Sequence, residues 1–143
     1  MFQSFENFKK TPGFNTTSYA VGHAAEIALL GTLREFFCDP ELALNPEGHS
    51  FDYESPTRLV ELKTRTVRRL QYFDTAIGLN KIRHARCSSK EVVFVFRFTN
   101  GLFYWKFDRA VALREGPLLG VQHCFIDTKL LVRIEDGLCA PSV

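Results

Sequence analysis

The spacing of apolar and polar positions changes several times along the chain, and each change marks an element. Residues 1–16 follow no steady period and contain the breaker Pro12-Gly13, so they define only an entry segment. Asn15, Thr16, Thr17 and Ser18 offer N-caps to the stretch 18–37, which is rich in Ala, Leu, Ile and Glu. That stretch is predicted as the principal helix, closed by Cys38-Asp39-Pro40. Period two then takes over. HSFDYE (49–54) and RLVELKTR (58–65) read as two strands joined across Ser55-Pro56-Thr57. In the second, Val60, Leu62 and Thr64 face one way and Leu59, Glu61 and Lys63 the other.

Residues 66–75 have no clear period. A short helix is predicted from Ala76 or Asn80 to Cys87, with Asn80 as a cap. EVVFVFRF (91–98) and LFYWKFDRA (102–110) flank Asn100-Gly101, a favoured turn, and predict a hairpin. Further strands are expected at 122–127 and 129–135, the latter at an edge. The order predicts a single mixed α/β (α+β) domain over residues 1–143, with an N-terminal helix packed on a curved, mainly antiparallel sheet and a second helix inserted.

Composition adds little: 143 residues, 45% hydrophobic and 24% charged, are ordinary for one globular domain. Fourteen phenylalanines predict a core dense in aromatic rings. No apolar run of the length a spanning helix needs occurs, and MFQSFENFKK lacks the apolar stretch of a signal peptide. Cys38, Cys87, Cys124 and Cys139 are widely spaced with no CxxC. A soluble intracellular protein with reduced thiols, in cytoplasm or nucleus, is therefore expected.

Charge distribution is more telling than the net +2. From Arg58 to Arg86 eight basic residues face two acidic ones, so this segment carries +6 and the remainder −4. A basic block in an otherwise acidic chain is the expected footprint of a polyanion site.

The same block begins at candidate chemistry. If Ser55–Arg58 forms the turn, register sets Asp52 opposite Glu61, and Lys63 shares the Glu61 face. Two carboxylates beside an ammonium suit a hard divalent cation and the hydrolysis of a phosphodiester. Asp52, eight residues, Glu61-Leu62-Lys63, preceded by a helical Glu26, resembles the PD-(D/E)XK nuclease superfamily. That superfamily includes restriction enzymes, archaeal Holliday-junction resolvases and small phage junction-cleaving endonucleases. The resemblance spans roughly residues 18–98 and departs from the motif at Phe51, where a proline usually stands. It implies a restriction-endonuclease-like core in which Glu26, Asp52, Glu61 and the carbonyl of Leu62 bind Mg2+, with Mn2+ able to substitute. Lys63 would position or activate the attacking water. DNA, branched in the junction-resolving members, would be the substrate, and a chain this short is expected to act as a symmetric homodimer.

Arg65, Arg68, Arg69, Lys81, Arg83 and Arg86 are candidate phosphate contacts. Lys81 stands out, because the family often places a Lys or Gln facing the site from the helix after the motif lysine. His23, His49 and His84 are weaker candidates near the site. His123-Cys124 has no second pair with zinc spacing. Tyr72 and Phe73 are candidates to stack on bases, whereas Tyr104 and Trp105 fit the sheet. The alternative is a non-catalytic nucleic-acid-binding or assembly module with the same fold. A third reading, a hydrolase of nucleotides or other small phosphoesters, fits the long basic block less well.

Overall fold

The structure is a computed structural model and describes residues 16–135 and 139–140. Residues 1–15, which include Asn15 and all of the entry segment but Thr16, lie outside the described residues. Helix α1 (Thr16–Phe36) begins two residues before the predicted start. It buries Ala25, Leu33 and Phe36, with Leu29 partly covered, along one stripe. Its end is a Schellman arrangement. The Asp39 amide reaches the Arg34 carbonyl (2.9 Å), the Cys38 amide reaches that of Glu35 (3.1 Å), and Cys38 takes φ 51°. Pro40 follows where the helix cannot continue.

The strands are β1 (Ala43–Leu44), β2 (Tyr53–Glu54), β3 (Arg58–Thr64), β4 (Asp74–Gly78), β5 (Glu91–Phe98), β6 (Gly101–Lys106), β7 (Arg114–Leu118), β8 (Val121–Asp127) and β9 (Val132–Arg133). Helix α2 (Leu79–Cys87) follows β4 directly. A six-stranded sheet runs β1-β2-β3-β5-β6-β9, and a three-stranded sheet runs β4-β8-β7. Every ladder is antiparallel except β3 with β5, which need the crossover through β4 and α2 to run parallel.

The large sheet is covered on both faces. Val60, Leu62, Val93 and Val95 pack with α1, while Phe94, Phe96 and Trp105 pack with Ile77, Ile82 and Ile126 of the smaller sheet and α2. Two covered faces account for the near-continuous apolar run of β5. The class is mixed α+β, as expected, but the strands form two sheets rather than one. Residues 121–127 pair with β4 and β7, and only Val132–Arg133 of the expected last strand joins the large sheet, at its edge.

Two local expectations are corrected. Phe98 pairs with Gly101, so the hairpin tip is Thr99-Asn100 rather than Asn100-Gly101. Gly101 has φ 149°, and a Cβ there would stand 3.3 Å from the Arg133 guanidinium. Gly78, not Asn80, sits at the cap of α2, and the Asn80 Oδ1 lies 2.7 Å from where a Gly78 Cβ would stand. Among the described residues no helix is long and apolar enough to cross a membrane.

Candidate active site

The site forms where the β2–β3 hairpin stops pairing. The turn closes as expected, with the Ser55 amide donating to the Arg58 carbonyl (2.9 Å) and with Glu54 opposite Leu59 and Tyr53 opposite Val60. Continued regularly, that register would set Asp52 opposite Glu61. Instead the Asp52 amide also donates to Val60 (3.1 Å), so two residues of one strand face one residue of the other. This is the arrangement of a β-bulge, which re-aims a side chain at a strand end. The Asp52 carboxylate turns toward β3 and its Oδ2 accepts the Leu62 amide at 2.7 Å. The side chain thus replaces the backbone acceptor that β2 no longer supplies. A strand residue's N–H and C=O share an edge, so the Leu62 carbonyl faces the same side.

Glu61 points to the opposite face of β3 from Val60 and Leu62 and is buried, 4% exposed. Its Oε2 meets Lys63 Nζ at 3.0 Å and Lys81 Nζ at 3.5 Å. Lys81 is carried in on the buried face of α2 and lies over the Phe51 ring, 5.2 Å from its centroid. Burial lowers the Lys81 ammonium below its usual range, and Lys63 adds to that, against the pull of Glu61 and Asp52. Glu26 arrives from α1, anchored by the fully buried Tyr53, whose hydroxyl donates to the Glu26 carbonyl at 2.5 Å. His23 Nδ1 stands 3.4 Å from Glu26 Oε2, one turn away.

Burial, then Glu61, then Glu26 push the Asp52 carboxyl up to about 9, against the Leu62 amide, which favours its charged form. Crowded carboxylates of this kind are relieved by a hard cation with oxygen ligands, so the donor chemistry fits Mg2+. Among the described residues no three His, Cys, Asp or Glu side chains stand together as a ready metal cage.

The basic candidates separate into three groups. Lys81 enters the site. Arg65 and Arg69 are turned into the fold, and their place is braces rather than open phosphate contacts. Arg65 donates from Nη2 to the Ala76 carbonyl (2.6 Å) and from Nε to Thr75 Oγ1 (3.2 Å). Arg69 reaches the carbonyls of Thr128 and Leu131, both at 3.2 Å, and lies over Phe103. Arg68, Arg83 and Arg86 are exposed.

The histidines are structural in part. His49 Nδ1 accepts the Phe51 amide (3.1 Å) and lies 3.0 Å from Asn45 Nδ2, which organises the loop before β2. His84 packs edge-on against Phe51. Cys124 is buried in the core and His123 is turned to the other face of β8. Tyr104 and Trp105 are buried in the sheet, whereas Tyr72 and Phe73 are exposed.

Sequence reasoning did not find Tyr53 and Phe51 as supports of the site. Their signal was present as aromatic residues flanking Asp52, obscured by the irregular strand. No family model matches this chain, and no curated protein matches it at a significant level.

Proposed function

We propose that this chain is a Mg2+-dependent endonuclease with a PD-(D/E)XK-type, restriction-endonuclease-like core, hydrolysing DNA phosphodiester bonds. The observation that carries the reading is the Asp52 carboxylate on the Leu62 amide at 2.7 Å, next in sequence to the buried Glu61, which holds Lys63 at 3.0 Å. An acid-x-Lys on an exposed strand is ordinarily a solvated pair of little consequence. Here Glu61 is buried, and burying charge at this cost is a mark of functional sites.

Asp52, Glu61 and the Leu62 carbonyl would hold Mg2+, with Glu26 completing the acidic side and Mn2+ able to substitute. When bound, the ion supplies charge neutralisation at the phosphoryl oxygens and a more acidic water. Lys63 is half-buried and its ammonium pairs with Glu61 at 3.0 Å. It is therefore placed to orient the attacking water or to steady charge developing on phosphorus. Lys81 meets the same oxygen of Glu61 at 3.5 Å and helps hold its carboxylate. Two copies related by a two-fold axis would present two such centres to a branched DNA, the arrangement a junction-resolving enzyme requires.

A second reading is a nucleic-acid-binding or assembly module that does not cleave. It is favoured by one observation, the lack of a ready metal cage among the described residues.

One assay separates them. Wild type and Lys63→Ala are incubated with Mg2+ or Mn2+ against linear duplex, single strand and four-way junction, with an EDTA control. Cutting that is lost with EDTA and in the variant supports the nuclease, and the preferred substrate names its subclass. Absence of cutting, with both proteins folded and binding DNA equally, supports the module.

A further inference from the structure

Lys63 belongs to two places at once. Its ammonium meets Glu61, and the same residue lines a cleft of about 480 Å³ between the end of β3 and the small sheet. That volume lies in the range of roughly 300–1,000 Å³ typical of small-molecule sites. Lys63, Arg68 and His123 give the cleft polar and basic edges, while Tyr72, Leu118 and Phe125 give it apolar walls. The acid on its lining, Asp74, is already paired with Arg114 at 2.9 Å. The cleft therefore favours a ligand that is both anionic and flat.

Its aromatic lip is built rather than loose. The carbonyls of Tyr72 and Phe73 both accept from the hydroxyl of Thr128, and Phe73 also accepts its amide at 3.0 Å; Thr128 itself is 2% exposed. The Arg69 amide donates to Asn100 Oδ1 at 2.8 Å while its guanidinium is held in the fold, and Leu70 turns the chain with φ 73°. With the backbone fixed in this way, Tyr72 remains 61% exposed and Phe73 72%. An exposed aromatic ring on a fixed backbone beside a basic cleft offers a face on which a base can stack.

We infer that this cleft receives an unpaired nucleotide, its base stacked on Tyr72 and its phosphate against Arg68, one step from the bond that the Glu61–Lys63 centre would cut. The inference rests on the nuclease reading for that last clause and narrows its substrate to nucleic acid with a single-stranded segment beside the scissile phosphate. A closed duplex keeps its bases stacked internally and cannot fill such a cleft.

The test is binding in EDTA, where no cutting occurs, measured by fluorescence anisotropy. The probes are a blunt DNA duplex and the same duplex with a single-stranded tail bearing 2-aminopurine. Wild type is expected to prefer the tailed duplex and to quench the 2-aminopurine. Tyr72→Ala should weaken tailed binding roughly tenfold or more and lose the quenching. Tyr72→Phe should keep both, and blunt-duplex binding should change less than about twofold. Arg68→Ala, exposed and outside the core, gives a second variant that should weaken tailed binding with a shallower salt dependence.

Equal tailed binding by wild type and Tyr72→Ala overturns the inference. So does no binding by wild type, or a dimer that Tyr72→Ala turns into a monomer, which would make the lip a contact between copies. The two readings fail separately. Tyr72-dependent tail binding without cutting in Mg2+ removes the nuclease and keeps the cleft. Equal cutting of blunt and tailed DNA, unchanged in Tyr72→Ala, removes the cleft and keeps the nuclease.

Discussion

Strand β3 carries two clusters of charge, built from similar side chains and arranged in opposite ways. At its start, Arg58 pairs with Asp39 (2.8 Å) and Glu91 (2.6 Å), Lys106 also pairs with Glu91 (2.9 Å), and Lys90 pairs with Glu54. Three acids meet three bases, and Ser55 Oγ adds a bond to Asp39 at 2.7 Å. Three residues further on, Lys63 and Lys81 both meet one oxygen of Glu61, while Asp52 accepts the Leu62 amide and Glu26 stands beside His23. The first cluster pulls carboxyls down. Lys90 holds Glu54 below its usual range, and although burial opposes it, Lys106 and Arg58 hold Glu91 low as well. The second pushes Asp52 up to about 9, by burial and by its acidic neighbours. A fold whose charges served packing alone would resemble the first cluster throughout. The second leaves Asp52 disfavoured in its charged form, which is the electrostatic ground of the proposed cation site.

The sharpest separation of the two is in catalysis. Asp52→Asn, Glu61→Gln and Lys63→Ala should each lower Mg2+-dependent cleavage on the order of 10²- to 10⁴-fold. Glu91→Gln, in the other cluster, should leave the rate within about twofold. Single-turnover cleavage of one labelled substrate compares all four. Equal losses in both clusters would mean that the rates report folding rather than chemistry.

Stability should divide them the other way. Asp39→Ala removes a buried acid from Arg58 and Ser55 together and should cost about 3 kcal/mol in urea unfolding, because breaking a buried pair strands its partner. Asp52→Asn should cost nothing, or stabilise the metal-free protein at neutral pH, since it replaces a disfavoured acid with a neutral group of the same shape. A loss of similar size at both positions would place the two clusters in one structural network.

How far all this was readable beforehand follows from what a sequence encodes. The face shared by Glu61 and Lys63 was legible because the two stand two residues apart on a regular strand, and a two-residue turn fixes the hairpin register. The bulge at Asp52 was not, since it depends on where β2 stops pairing rather than on residue type. Strand β4 was hidden because only Thr75 and Ile77 are buried, between small or polar Asp74, Ala76 and Gly78. Strand β7 was hidden by Gly116 and Pro117, which an edge strand tolerates. Charge alone could not tell Arg65 and Arg69 from Arg68. The carbonyl partners of Arg69 lie 59 and 62 residues further along the chain, beyond any local pattern.

Proton linkage makes the finest test of the contrast. The Asp52 carboxyl, ordinarily near 3.8, is raised to about 9 in the folded chain, so folding takes up a proton between those values. Its stabilising contribution is fully present below 3.8 and is lost as pH rises toward 9. Glu91 is lowered, so its contribution is present above its ordinary 4.5 and is lost as pH falls through the lower folded value. In EDTA, melting temperature should therefore decline from pH 5 to pH 9, and Asp52→Asn should flatten that decline. Saturating the protein with Mg2+ at pH 8 should raise the wild-type melting temperature by roughly 3–5 °C, as expected for about ten times the dissociation constant. The variant, lacking one anionic ligand, should show less than half of that. A profile that is flat above pH 5 and identical in Asp52→Asn would mean that Asp52 is ionised and balanced as Glu91 is. The two ends of β3 would then be one kind of structure, and the case for a cation beside Glu61 would lose its electrostatic ground.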